Sequence, residues 1–337
     1  MSVDRPDHSR AGLASTLRSD GLRKLYGAEV ISGAGDGIFW VALVVFLSGQ
    51  PRFGLWLTLA VIARLAPRAL LSLPAGSLVD RSNLRSLVVV VELLRAGVMV
   101  ALAVVVSLDG SAWPVLALVA LSYTVGAPTR PALSAIVPIV AGERHLAGAN
   151  AVLSTARQIM TFVGPLLGVG VAAWSPSAGF ALNALTFAVS GLLIAMVREI
   201  PTAGARGPRP SRRQHVRLGP LAAFVDGIGA VRAVSALAPL VALIGVMYFV
   251  RGAEMVLHVY VVRDQLGVDV ERVGLLSGAV GLGALVAMPI ASRAADSISP
   301  VRPIVFSLAA TAVPTAALAT VTTTLGASAV LVVVGVG

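Results

Sequence analysis

Long apolar stretches recur along the whole chain, and they limit what it can fold into. A helix needs about 20 apolar residues to cross the hydrocarbon core of a bilayer. Nine stretches meet that length: Leu25–Gly49, Phe53–Val79, Ser86–Leu108, Trp113–Val140, Leu146–Trp174, Phe180–Val197, Pro239–Val262, Val273–Ser292 and Pro303–Val321. A tenth begins near Leu325 and reaches Gly337, which is too short to span. The pattern predicts an all-α membrane protein.

The composition excludes most other classes of protein. Only 12% of the residues are charged, against about 25% in soluble proteins, and the mean hydropathy is +0.89. Without cysteine there is no zinc-thiolate site, and the four histidines lack metal-ligand spacing. We expect no metal, no cofactor and no catalytic residues, so the chain is predicted not to be an enzyme.

The net charge of +10 has its source in membrane topology. Basic residues gather on alternate connections, beginning with the N-terminal segment, whereas the opposite loops hold only Arg52, Arg263 and Arg272. Because arginine and lysine accumulate on the cytoplasmic side, the N-terminus is predicted to be cytoplasmic, in an inner or plasma membrane. Nucleic-acid binding is not needed to explain the charge.

The spans fall into two groups around one long connection. We expect a cytoplasmic segment (1–24), a six-helix bundle (25–197), a basic linker (198–238) and a partial second bundle (239–337). Part of the linker, Leu218–Leu237, has an apolar face and is predicted to lie on the membrane surface as a helix, although a plain linker is the alternative.

The connection after the second span carries a motif of Gly76, Asp80, Arg81 and Arg85. It resembles the G-x-L-x-D-R-x-G-R-R signature of the major facilitator superfamily, at the position where that family has it. The resemblance implies a conformational latch in which Asp80 pairs with arginines at the membrane boundary. Asn83 replaces the second glycine, and we expect it to keep the turn by adopting left-handed geometry.

Span five contains Gly164, Pro165 and Gly168, which resemble the G-P-x-x-G-G signature of proton-coupled exporters in that superfamily. Ordinary packing of small residues is the alternative. Together with Gly35-Asp36-Gly37 in span one and Pro128-Thr129-Arg130-Pro131 in span four, the motif resembles the macrolide-efflux and enterobactin-exporter-like branch. The resemblance implies a molecule of twelve spans. The second bundle is therefore expected to be truncated, so that the chain holds about nine to ten of the twelve helices.

Ionisable residues at membrane depth are candidate functional groups. Asp36 is predicted to lie near the midplane and to pair with one of the four arginines at similar depth. Whether it exchanges a proton or is a permanent counter-ion stays open. Glu92 and Arg95 are predicted to brace the Asp80 loop. The candidate transport and proton-coupling residues are Asp36, Arg64, Arg68, Arg130 and Arg157.

These expectations describe a secondary transporter that works by alternating access. The resemblance implies proton-coupled export of a small amphipathic molecule, such as a drug, a macrolide or a siderophore. Its partners are that substrate, protons and the lipid bilayer. An uptake permease of the same fold and a truncated, non-transporting membrane protein are the alternatives.

Overall fold

The computed structural model describes residues 19–142 and 145–200 and, with gaps, residues 246–336. These residues form helices and short connections, with no strand among them. Predictions for the N-terminal 18 residues, for the linker from residue 201 and for most of spans seven to nine lie outside the described residues.

Five of the first six spans are single helices whose ends lie within about five residues of the predicted ones. Each contains a stretch long and apolar enough to cross a membrane. Span five has the predicted bounds, because Ser175 and Pro176 interrupt the helix after Trp174. The helices are Asp20–Ser48 (span one), Phe53–Arg81 (span two), Leu84–Ser107 (span three), Leu146–Trp174 (span five) and Pro176–Ala195 (span six).

Span four covers Ala112–Ala141, close to the predicted Trp113–Val140, and it is interrupted near its middle. Its first half is Ala112–Val125 and its second half is Thr129–Ala141. Gly126 ends the first half, where its N–H donates to the Ser122 carbonyl at 2.9 Å. Pro128 has no N–H to donate and disfavours helical geometry at Ala127. The second half therefore begins anew within the membrane.

Span one lies at the centre of the first bundle and packs along spans five and six. Two apolar clusters hold the bundle together. One surrounds Phe39, Leu102 and Phe180 towards the end of span one, and the other surrounds Leu22, Leu84 and Ile136 near its beginning. The residues between these clusters include three buried polar side chains, Glu92, Arg95 and Ser190, and we call this level the polar layer. It contains Glu29, Ser32, Asp36, Glu92, Arg95, Thr129 and Ser190.

The described parts of the second bundle pack against the first. A Cβ atom at Gly252 would lie 3.2 Å from Cδ1 of Leu65 in span two. A Cβ atom at Gly281, in the helix Gly278–Ala287, would lie 2.6 Å from the Phe162 backbone of span five. The last helix is Thr324–Val336, 13 residues long, so the prediction of a short helix from about Leu325 is confirmed.

Candidate functional site

The polar layer is centred on an ion pair between spans one and three. Arg95 Nη2 lies 3.1 Å from Asp36 Oδ1, and the Arg95 side chain is only 7% exposed. Its guanidinium group stacks over the Phe187 ring of span six, 3.9 Å from the ring centroid. Arg95 thus joins three spans at one level. Removing the Arg95 charge would leave Asp36 without its salt-bridge partner among the described side chains, whereas removing the Asp36 charge would leave Arg95 with the more distant Glu92.

The interruption of span four lies beside the same guanidinium group. A Cβ atom at Gly126 would lie 3.1 Å from Arg95 Nε. The carbonyl end of a helix carries partial negative charge, so the end of the half-helix Ala112–Val125 favours a cation at this place. The absence of a side chain at Gly126 lets Arg95 approach the backbone.

A second carboxylate faces Arg95 from one turn away. Glu92 Oε1 lies 3.9 Å from Arg95 Nη1, and the Glu92 side chain is only 2% exposed. Glu92 packs on span six, where a Cβ atom at Gly191 would lie 3.3 Å from the Cβ atom of Glu92. The described contacts of Glu92 and Arg95 therefore run to spans one, four and six. The prediction that these two residues brace the Asp80 loop was wrong.

Glu29 and Arg157 form a second ion pair, between spans one and five. Arg157 Nε donates to Glu29 Oε1 at 2.7 Å. Glu29 precedes Asp36 by about two helical turns on span one, so both acids lie on the same face of the helix. Arg157 was predicted to be a partner for Asp36, but its observed partner is Glu29.

The other candidate arginines do not form the Asp36 pair. Arg64 lies between two aromatic rings, 4.9 Å from the Trp40 ring centroid and 5.8 Å from that of Tyr123. Arg130 is exposed, and the side chain of Arg68 lies outside the described residues. Among the described side chains, the salt-bridge partner of Asp36 is Arg95. The predicted partners Arg64, Arg130 and Arg157 are wrong, because depth along a helix does not specify which neighbouring helix a side chain faces.

The motif after span two lies at the boundary of the described bundle. Asp80 and Arg81 are exposed, and Arg85 is half-buried. Asn83 caps span three in extended geometry (φ −70°), and its side chain accepts a hydrogen bond from the Ser86 N–H at 3.2 Å. The turn is thus kept by capping rather than by the predicted left-handed geometry. A Cβ atom at Gly76 would meet no described atom within 4 Å, so the latch stays a prediction.

The glycines of span five form a close crossing with span one. A Cβ atom at Gly37 would lie 2.6 Å from the Gly164 backbone and 2.8 Å from Pro165 Cδ. One at Gly168 would lie 3.1 Å from the Ile38 backbone. This arrangement is typical of small-residue helix packing in membranes. It explains Gly164, Pro165 and Gly168 structurally and leaves their exporter meaning untested.

A small cavity opens in the polar layer between spans one, three, four and six. It offers space for a water molecule or an ion of similar size. Sequence reasoning missed Thr129, Ser32 and Ser190 as polar lining groups. The one available signal was Gly126-Ala127-Pro128, which indicates an interrupted helix directly before Thr129. The residues that line the cavity are Leu25, Ala28, Glu29, Ser32, Glu92, Thr129, Leu133, Ser190 and Ile194.

The described residues form a bundle of helices long and apolar enough to cross a membrane, with two ion pairs between them. The family model of the Major Facilitator Superfamily matches residues 25–337. The chain therefore belongs to the Major Facilitator Superfamily, a family of membrane transporters.

Solved structures share the fold. The chain is similar to a bacterial homolog of the human lysosomal transporter Spinster in its inward-facing, unoccupied conformation. That match has a TM-score of 0.58 and 14% identity, over 97% of this chain and 73% of the other. The occupied inward-facing conformation matches with a TM-score of 0.54 and 14% identity, over 99% and 74%. Among curated proteins, none matches the chain.

Proposed function

We propose that the chain exports a small amphipathic molecule in exchange for protons. It does so from an inner or plasma membrane, with its N-terminus in the cytoplasm. The observation that carries this proposal is the Asp36–Arg95 ion pair at the level where span four is interrupted. Discontinuous helices and ion pairs at mid-membrane are common in the binding and coupling sites of secondary transporters.

The geometry supports a switchable ion pair rather than a fixed one. Arg95 has Asp36 at 3.1 Å and Glu92 at 3.9 Å. When a proton neutralises Asp36, its attraction for Arg95 falls, and the guanidinium group retains Glu92 as a counter-ion. Spans one and three are then less strongly joined. The proton thus changes the contact between two helices without leaving a bare charge in the bilayer.

Substrate is proposed to enter near Arg64. Among the described side chains, Arg64 has no carboxylate at salt-bridge distance, and it lies against Trp40 and Tyr123. Its neighbours in span two, Val61 and Leu65, contact Gly252 of the second bundle, so Arg64 lies close to the contact between the bundles. A guanidinium group beside aromatic rings suits an amphipathic molecule with an anionic group.

Export, rather than uptake, is supported by the resemblance of Gly164, Pro165 and Gly168 to the exporter signature. The test is cellular accumulation of a labelled panel of cationic dyes, macrolides and catecholate siderophores. An efflux-deficient host would express this chain, with and without an uncoupler. We expect lower accumulation of at least one compound, and we expect the uncoupler to abolish the difference.

The same experiment distinguishes the alternatives. Higher accumulation in expressing cells would indicate an uptake permease. Equal accumulation of every compound, with the protein shown to be in the membrane, would contradict export of these substrate classes and favour a non-transporting chain. The Asp36→Ala variant, expressed at the same level, is the control for effects of membrane insertion alone.

A further inference from the structure

The three acids of the polar layer share two arginines among the described residues: Arg95, in the layer, and Arg157, on span five. Asp36 pairs with Arg95, and Glu29 pairs with Arg157. Glu92 has Ser190 as a hydrogen-bond partner, but its salt-bridge contact is the longer one of 3.9 Å to Arg95, which Asp36 already contacts at 3.1 Å. An ionised Glu92 carboxylate would share the single positive charge of Arg95 with Asp36, in a medium of low dielectric constant.

The surroundings of Glu92 add no further positive charge among the described residues. Span one presents Glu29 and Asp36, which repel it. Span six presents the hydroxyl of Ser190, and the second half of span four presents Thr129. Arg95, on its own helix, is thus the cation nearest to Glu92, and Arg157 is engaged by Glu29.

Besides Arg95 Nε, two buried oxygen atoms of the layer lack hydrogen-bond partners among the described residues. They are Glu92 Oε2 and Thr129 Oγ1, and both residues line the small cavity. Unpaired buried polar atoms cost about 1–3 kcal/mol each, and more when charged. Such atoms around a space of the right size point to a missing group that supplies positive charge or hydrogen bonds.

The chemistry of the lining fits a small cation. The cavity presents the carboxylates of Glu29 and Glu92 and the hydroxyls of Ser32, Thr129 and Ser190. All five side chains offer oxygen, which is the ligand that hard cations prefer. No basic side chain lines it, so an anion is not favoured there.

We propose that this cavity is a cation site in which one monovalent cation, a proton or a sodium ion, neutralises Glu92. When the cation is bound, Glu92 carries no net charge, and Arg95 forms its ion pair with Asp36 alone. When the cation departs, Glu92 and Asp36 compete for the same guanidinium group, so occupancy of the cavity adjusts the ion pair between spans one and three. The site exists whether the chain exports or imports, and whatever its substrate.

The experiment is thermal unfolding of the purified full chain in lipid nanodiscs, between pH 6 and pH 9, in sodium chloride or choline chloride at equal ionic strength. A ligand that binds only the folded state raises the unfolding temperature. We expect the wild type to gain about 2–4 °C on lowering the pH if the cation is a proton, or on replacing choline by sodium if it is sodium.

Glu92→Gln is the decisive variant, because a neutral amide of the same shape imitates the occupied carboxylate. It should be at least as stable as the wild type at pH 9 in choline, and it should lose the response to the cation. Thr129→Val should weaken a sodium response and leave a proton response largely intact. Asp109→Asn removes an exposed loop charge and should respond as the wild type does. A destabilised Glu92→Gln that keeps the wild-type response would overturn the site.

A second measurement avoids reliance on a variant that fails to fold. Carbodiimides modify protonated carboxyl groups in apolar sites, and the modified residue is located by mass spectrometry in the wild type. Labelling of Glu92 that falls as pH rises, or that sodium prevents, supports the cation site. Labelling that neither pH nor sodium changes, or no labelling at all, contradicts it. Both measurements are made without transport, so their failure is separate from failure of the exporter proposal.

Discussion

Arg95 is the residue on which the described site depends most. It contacts an acid on span one, an acid on its own span, an aromatic ring on span six and the end of a half-helix in span four. Three kinds of interaction favour the guanidinium group here: the charges of the two acids, the quadrupole of the ring and the dipole of the half-helix. A planar cation with a long stem meets all four at once, and lysine would not.

Arg64 differs from Arg95 in having aromatic rather than acidic neighbours among the described residues. If it contacts an anionic group of the substrate, Arg64→Gln should raise the KM for anionic amphipathic substrates by about tenfold, which corresponds to about 1.4 kcal/mol. Neutral and cationic compounds should be affected much less. The measurement is the concentration dependence of transport for a matched anionic and neutral pair.

Arg130→Gln is the matched control for that change, since it removes an exposed arginine from span four. It should leave the KM values unchanged. Equal loss of anionic and neutral transport in Arg64→Gln would instead assign Arg64 to packing against Trp40 and Tyr123.

At the scale of elements, spans one and five form a close crossing, and glycine makes it possible. The backbone of Gly164 occupies the place where a side chain at Gly37 would lie. The crossing holds span one, which carries Glu29 and Asp36, against span five, which carries Arg157. The Glu29–Arg157 pair thus depends on two residues that have no side chain.

Gly37→Ala should therefore destabilise the protein by about 1–3 kcal/mol, because the added methyl group must displace a backbone rather than a flexible side chain. Thermal unfolding in detergent measures this. Gly170→Ala is the control, because a Cβ atom there meets no described atom within 4 Å and alanine is the better helix former. A Gly37→Ala protein as stable as Gly170→Ala would show that the crossing is looser than described.

Span limits were predictable because they follow from local sequence. The length of apolar stretches and punctuation such as Trp174-Ser175-Pro176 set where a helix can end. The interruption of span four was missed because apolar residues continue through it, although Gly126 and Pro128 were visible. The glycine motif of span five was found from its spacing, but its partner, Gly37, belongs to another helix.

The partners of the charged residues could not be read from the sequence. Depth along a helix does not specify the partner of Asp36, because its rotation towards span three depends on how whole helices pack. Glu92 was given a role at the membrane boundary because it follows the Asp80 motif along the chain. Its burial against Gly191 and the cavity beside Thr129 arise only when spans three, four and six assemble.

At the scale of the whole molecule, a polar layer lies between two apolar clusters of the first bundle. The clusters fix the helices at both ends, so changes of charge in the layer can alter helix contacts without unfolding the bundle. The second bundle contacts the first at Gly252 and Gly281 through small residues. Contacts of this kind permit close approach, and they suit bundles that rock against each other.

The central claim is that Asp36 couples substrate movement to protons. Its most direct test is transport in proteoliposomes with and without an imposed pH gradient. A gradient of one pH unit supplies about 1.4 kcal/mol per proton, enough for about a tenfold accumulation ratio. We predict that the wild type accumulates substrate against its gradient, whereas Asp36→Asn only equilibrates it. A folded Asp36→Asn protein that still accumulates substrate as the wild type does would contradict the account and leave Asp36 as a structural counter-ion of Arg95.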